Sequence, residues 1–239
     1  MKPMTKPPLK SLKLPVRIAA GTRGKLDFDF ACGRGHSFGE YHVHGVVNEI
    51  LCSSLDPIQH RVQSGFAHPA LQTPKSTGRR REVDFAVELL ASRTRGLYAE
   101  VKWAGSSHCN QENVLSDLCR LQIIKNAEPE TECLFVLAGH TDKIDHLFST
   151  GILVQGTTCL LHRNGNHAAL GERGVKRRTK NFSLTKNTDH SHQLATMVTN
   201  ISGRLPVVPE NVYTHLVHSA RSVAAAGRFE TLVWSVEIG

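Results

Sequence analysis

Six consecutive apolar residues, Cys133-Leu134-Phe135-Val136-Leu137-Ala138, stand between polar flanks. A run this short and this continuous predicts a β-strand buried on both sides, because a half-exposed strand would alternate with polar residues. Such a strand needs cover above and below, so the chain must bring helices to both faces of a sheet. Two candidates flank it in sequence. Over 38–55, Val43, Val46, Val47, Ile50 and Leu51 recur at helical spacing until Asp56-Pro57 stops the pattern. Over 112–126, Val114, Leu115, Leu118, Leu121 and Ile123 or Ile124 share one face. With 239 residues, 40% of them apolar, there is material for one large α/β domain or for a core of about 150 residues with an elaboration.

Between the two helices lie two runs of strand length, 82–90 and 97–103, around the turn Ser92-Arg93-Thr94-Arg95-Gly96. That is the pattern of a β-hairpin. Farther along, 142–149 suggests a short helix, 152–162 a strand, Asn164-Gly165 a tight turn, 211–226 a helix and 231–238 a closing strand. The Pro-, Gly- and Ser-rich stretch 59–81 reads as a loop. Residues 1–15, with four Lys among four Pro, resist helix and read as a mobile basic arm. The expected architecture is α/β, a central mixed β-sheet flanked by helices. It divides into a basic Pro-rich arm and lead-in over 1–30, a core over 31–165, and a basic C-terminal elaboration over 166–239 packed on the core.

Lys and Arg number 29 against 21 Asp and Glu, a formal net charge of +8, so a polyanion is the natural partner. The six cysteines form no CxxC pair and no Cys/His spacing suited to structural zinc, and they read as reduced, mostly buried thiols. No stretch of about 18 apolar residues occurs and no apolar signal segment follows the N-terminus, which predicts a cytoplasmic protein without a membrane partner.

The chemistry concentrates in the hairpin. Asp84 lies in its first arm and Glu100-Val101-Lys102 in its second. Strand side chains alternate, so Glu100 and Lys102 project from one face and Val101 from the other. Antiparallel pairing can bring Asp84 beside Glu100, and two acids so close repel unless a positive group sits between them. A divalent cation fits, Mg²⁺ above all, since it takes carboxylate oxygens and keeps waters or phosphate oxygens at its remaining positions. Lys102 can then hold the attacking water or help deprotonate it, particularly if burial lowers its pKa.

These residues resemble the PD-(D/E)xK superfamily, the restriction-endonuclease-like fold. The likeness runs over roughly 38–140: a helix with an acid, then Asp84, then Glu100-Val101-Lys102, a helix containing Asp117-Leu118-Cys119-Arg120-Leu121, and an apolar strand. Val83 stands where the pattern has Pro, a departure this divergent superfamily often tolerates. The resemblance implies a restriction-endonuclease-like core with Asp84 and Glu100 as metal ligands and Lys102 positioning the nucleophilic water. It implies a Mg²⁺-dependent endonuclease, with Mn²⁺ as a substitute, hydrolysing phosphodiester bonds in DNA. Many members add an acid from the first helix. Glu40 lies at the edge of the apolar stripe while Glu49 falls nearly opposite it, so Glu40 is the better candidate. His44, one turn on, is more naturally a half-buried packing residue.

Arg79, Arg80 and Arg81 lead into the Asp84 strand and could meet phosphates; Lys176, Arg177 and Arg178 form a second basic cluster. Arg120 and Gln122 could reach the nucleic-acid backbone, and Trp103 is better explained by packing. A homodimer is reasonable where both strands of a duplex are cut. The alternative of another class is a DNA-binding protein that keeps the fold without turnover. A third reading starts from His162-Arg163-Asn164-Gly165-Asn166-His167, which superficially resembles a ββα metal site. It ranks low, because Asn164-Gly165 suits a hairpin turn and Ala168-Ala169-Leu170 runs into Gly171 without forming the required helix.

Overall fold

The computed structural model describes residues 12–72, 80–156, 158–163, 179–186, 190–222 and 228–239. Its centre is a mixed sheet of seven strands: β1 (His60–Phe66), β2 (Val83–Leu89), β3 (Thr94–Trp103), β4 (Glu132–His140), β5 (Lys180–Ser183), β6 (Asn211–Arg221) and β7 (Phe229–Val236). They lie in the order β1-β2-β3-β4-β7-β6-β5. Only β3 and β4 run parallel, as their connection through α3 (Gln111–Ala127) requires. All other neighbours are antiparallel.

The apolar run Cys133–Ala138 lies in β4, and its alternation divides the core. Cys133, Phe135 and Leu137 face α3 and α5 (Ser191–Ser202), together with Tyr98, Leu118, Leu194 and Trp234. Leu134, Val136 and Ala138 face α1 (Leu14–Ala31) and α2 (Glu40–Ser54), together with Ile18, Val43, Val47 and Val101. The result is a helix–sheet–helix sandwich. The short α4 (Thr141–Leu147) falls where the sequence suggests it.

Several elements differ from the sequence expectation. The segment read as arm and lead-in contains α1; Pro15 sits in its first turn, where a missing N–H and a fixed φ favour a helix start. Within 59–81, expected as loop, β1 forms an edge strand with mostly half-exposed or exposed side chains. Over 152–162 there is no strand among the described residues but a short 3₁₀ turn, Gly151–Leu153, and irregular chain whose Ile152, Leu153, Leu160 and Leu161 are buried. Residues 211–221 are strand β6, not helix. Because β7 pairs with β4 along its whole length, the C-terminal segment supplies three of the seven strands and is no appendage to a finished core.

Of the six cysteines, Cys109, Cys119, Cys133 and Cys159 are buried and Cys32 and Cys52 exposed, all as free thiols. Among the described residues no helix is long and apolar enough to cross a membrane.

Candidate active site

Regular pairing of β2 with β3 ends at Phe85↔Ala99, so the next residues, Asp84 and Glu100, sit where the hairpin splays. The amide of Val101, left without a strand partner there, donates to Asp84 Oδ2 at 2.8 Å. This bond turns the Asp84 carboxylate across the opening toward β3. His44 of α2 closes the same edge, with Nε2 3.2 Å from the Val101 carbonyl oxygen and 3.6 Å from Asp84 Oδ2. At this rim, residues of both helical layers reach one another past the sheet.

Lys102 Nζ bridges the layers, 3.1 Å from Glu40 Oε1 at the start of α2 and 3.1 Å from Asp117 Oδ2 on α3. Ser106 Oγ donates to the other oxygen of Glu40 at 3.2 Å. One turn along α3, Arg120 places Nε 2.9 Å from Glu100 Oε1 and reaches Asp117 Oδ1 with its terminal nitrogen. Four carboxylates, Glu40, Asp84, Glu100 and Asp117, thus surround the cations Lys102 and Arg120, leaving an excess of two negative charges when all four are ionised and His44 is neutral.

Access is graded. Asp84 and Glu40 are each 24% exposed at the side chain, whereas Glu100 is 0% exposed. Both Glu100 oxygens and Asp117 Oδ2 are buried without a donor aligned for a hydrogen bond, despite the nearby cations. Burial holds the Glu100 carboxyl well above the usual carboxylate range; Arg120 pulls it down, and the Asp84 and Asp117 charges push it up again. Burial raises Asp117 in the same way, against Arg120 and Lys102.

Burial alone would lower the pKa of Lys102, as the sequence analysis anticipates, but the Asp117, Glu40 and Asp84 carboxylates outweigh it and hold the ammonium above its ordinary value. In this arrangement Lys102 is a hydrogen-bond donor and not a base.

The predicted site residues Glu40, Asp84, Glu100 and Lys102 therefore meet at one rim. Glu49 is exposed and away from them. Asp117, to which the sequence gives no role, and Arg120, expected at the nucleic-acid backbone, both belong to the cluster. A signal existed, since at about 100° per residue Asp117 falls between Leu121 and Ile124 on the apolar stripe. His44 also stands in the cluster and not merely in packing. Gln122 is buried instead of exposed to a partner: its amide donates to Asn126 Oδ1 and Glu237 O, and its oxygen accepts from Tyr213 N. Trp103 packs between Phe38 and His140.

Arg80 is exposed, while Arg81 is half-buried and donates to the carbonyl of Gly203, beyond α5, at 3.3 Å. Arg79, Lys176, Arg177, Arg178 and His167 lie outside the described residues. A groove of about 590 Å³ is lined by residues such as Lys13, Lys125, Glu132 and His215 and contains none of the clustered acids. Among the described residues, no three His, Cys, Asp or Glu side chains already stand as a ready-made metal site. No family model, no curated protein and no solved structure matches this chain.

Proposed function

We propose that the chain is a metal-dependent endonuclease that hydrolyses phosphodiester bonds in DNA from a PD-(D/E)xK-like centre on a restriction-endonuclease-like core. The observation that carries this reading is the excess of carboxylate at the splayed hairpin, with buried Glu100 oxygens that have no aligned donor. Unsatisfied buried oxygens of this kind are costly and call for a ligand. The hard oxygens of Asp84 and Glu100 suit Mg²⁺ or Mn²⁺, and one divalent charge matches the excess. Bound there, the cation lowers the pKa of a water and offsets charge on the phosphate.

The chain's own groups supply the rest. Lys102, held as an ammonium between Glu40 and Asp117, donates hydrogen bonds to the incoming water or a phosphate oxygen. Val101 N fixes the orientation of Asp84. Water adds to phosphorus and gives up a proton to solvent, one P–O ester bond breaks, and the departing oxygen takes a proton from solvent. Basic groups such as Arg80 provide sequence-independent attraction to the phosphates. Cutting both strands of a duplex calls for a second copy of the chain.

The test is digestion of plasmid with Mg²⁺ or Mn²⁺ by the wild type, Asp84→Asn, Glu100→Gln and Lys102→Met. Each substitution is expected to lower the rate by roughly a hundredfold or more; cleavage indifferent to all three would end the assignment. One observation favours a second reading: Arg120 already lies against Glu100 as an internal counter-ion. A DNA-binding protein without turnover would keep it there permanently. Salt-dependent binding with no cleavage under any divalent metal would select that alternative.

A further inference from the structure

The last turn of α1 and the first turn of α2 carry side chains that neither the core nor the carboxylate cluster uses. Phe28 is 58% exposed, Phe30 39% and Tyr41 94%. Cations already lie over two of these rings. The Arg228 guanidinium is 3.8 Å from the Phe30 centroid, and Lys25 and Arg34 stand 5.7 Å and 5.8 Å from that of Phe28. Buried Asp29, between the two phenylalanines, ties the group together. It accepts from Lys25 at 2.8 Å, pairs with Arg34 at 3.1 Å and lies 3.3 Å from His42, the neighbour of Tyr41.

Beneath this surface a line of ring contacts through the core leads toward the cluster. Phe30 contacts Phe229, Phe229 contacts Phe38, and Phe38 contacts Trp103, with centroids 5.8, 5.5 and 6.1 Å apart. Trp103 follows Lys102 in the chain, and Tyr41 follows Glu40. Exposed rings beside cations suit a ligand that offers flat π-faces and negative charge together. Unpaired nucleotides do so. In a duplex the base faces are covered by their neighbours, so it would engage the cations and leave the rings unused. A second copy meeting this patch about a two-fold axis would set the same cations against each other.

We infer that Phe28, Phe30 and Tyr41, with Lys25, Arg34 and Arg228, form a stacking platform for a DNA single strand running to the carboxylate cluster. The substrate class is therefore DNA with an unpaired segment next to the scissile bond, an inference that rests on the nuclease reading for its location but not for the binding itself. The strand's phosphates lie on the cations and its bases on the rings.

Fluorescence anisotropy on the full chain in EDTA tests it, with a labelled oligothymidylate and a labelled duplex of equal length as probes. Phe28→Ala and Tyr41→Ala remove exposed rings, and circular dichroism checks that both variants fold. Each is expected to weaken single-strand binding about tenfold and duplex binding less than twofold. Unchanged single-strand affinity in the double variant, or equal losses on both probes, would overturn the platform. So would a wild-type dimer in sedimentation that the double variant dissociates, because the rings would then serve self-association. A wild type that binds the strand but never cleaves under any divalent metal keeps the platform and defeats the nuclease reading. One that cleaves while both ring substitutions leave strand binding untouched does the reverse.

Discussion

Glu100→Gln is expected to inactivate the protein and stabilise it. Burial dominates the Glu100 carboxyl and lifts its folded pKa above the unfolded value near 4.5. A group so shifted binds its proton more tightly in the native state, so its contribution is fully present below the unfolded pKa and is lost as pH rises through the folded one. Above that window the ionised carboxylate, with neither oxygen offered an aligned donor, is a net cost. Glutamine carries no charge, and Arg120 keeps Asp117 as a partner. Relieving a buried unsatisfied group is worth about 1–3 kcal/mol. At roughly 2–4 °C per kcal/mol for a domain of this size, a cost near 2 kcal/mol becomes a rise in Tm of about 4–8 °C. Thermal melts at pH 8 and pH 4 in EDTA measure it; the gain appears at pH 8 and shrinks at pH 4, where wild-type Glu100 is protonated. Added Mg²⁺ then raises the Tm of the wild type but not of the variant. A variant no more stable at pH 8, or a gain of equal size at pH 4, would refute the reasoning.

Gln122→Leu strips partners from Tyr213 N, Glu237 O and Asn126, and urea denaturation should record a loss of about 2–4 kcal/mol. Asp29 is held below the usual carboxylate range by the Lys25 hydrogen bond and, against burial, by the Lys25, Arg34 and His42 charges. Its contribution is present above the unfolded pKa and is lost as pH falls through the folded one. Asp29→Asn should therefore melt lower than the wild type at pH 7, with the two curves converging in acid.

What the sequence disclosed follows from how strongly each element is patterned. The run Cys133–Ala138 and the stripe of Val43, Val47 and Leu51 have no plausible alternative, and they became β4 and α2. In β6, Val212, Leu216 and Ala220 recur every fourth residue, a spacing that a strand of period two and a helix share. Only the neighbouring strand chose between them. At the edge, β1 buries too little for its polar sequence to be patterned at all. Asp84, Glu100 and Lys102 were legible because charges on an otherwise apolar strand demand a reason. Asp117 was not, because its stripe was read for hydrophobicity alone. The tie between Arg120 and Glu100 depends on how α3 lies over β3, which no local pattern encodes.

The insertion of β7 between β4 and β6 has a consequence for biosynthesis. Until residues 229–236 leave the ribosome, the nascent chain exposes β4 as an open edge whose backbone groups from Cys133 to His140 β7 later pairs. Synthesis of the β2–β3 hairpin is thus finished well before the sheet that supports it can close, and until then the incomplete polypeptide is a client for chaperones.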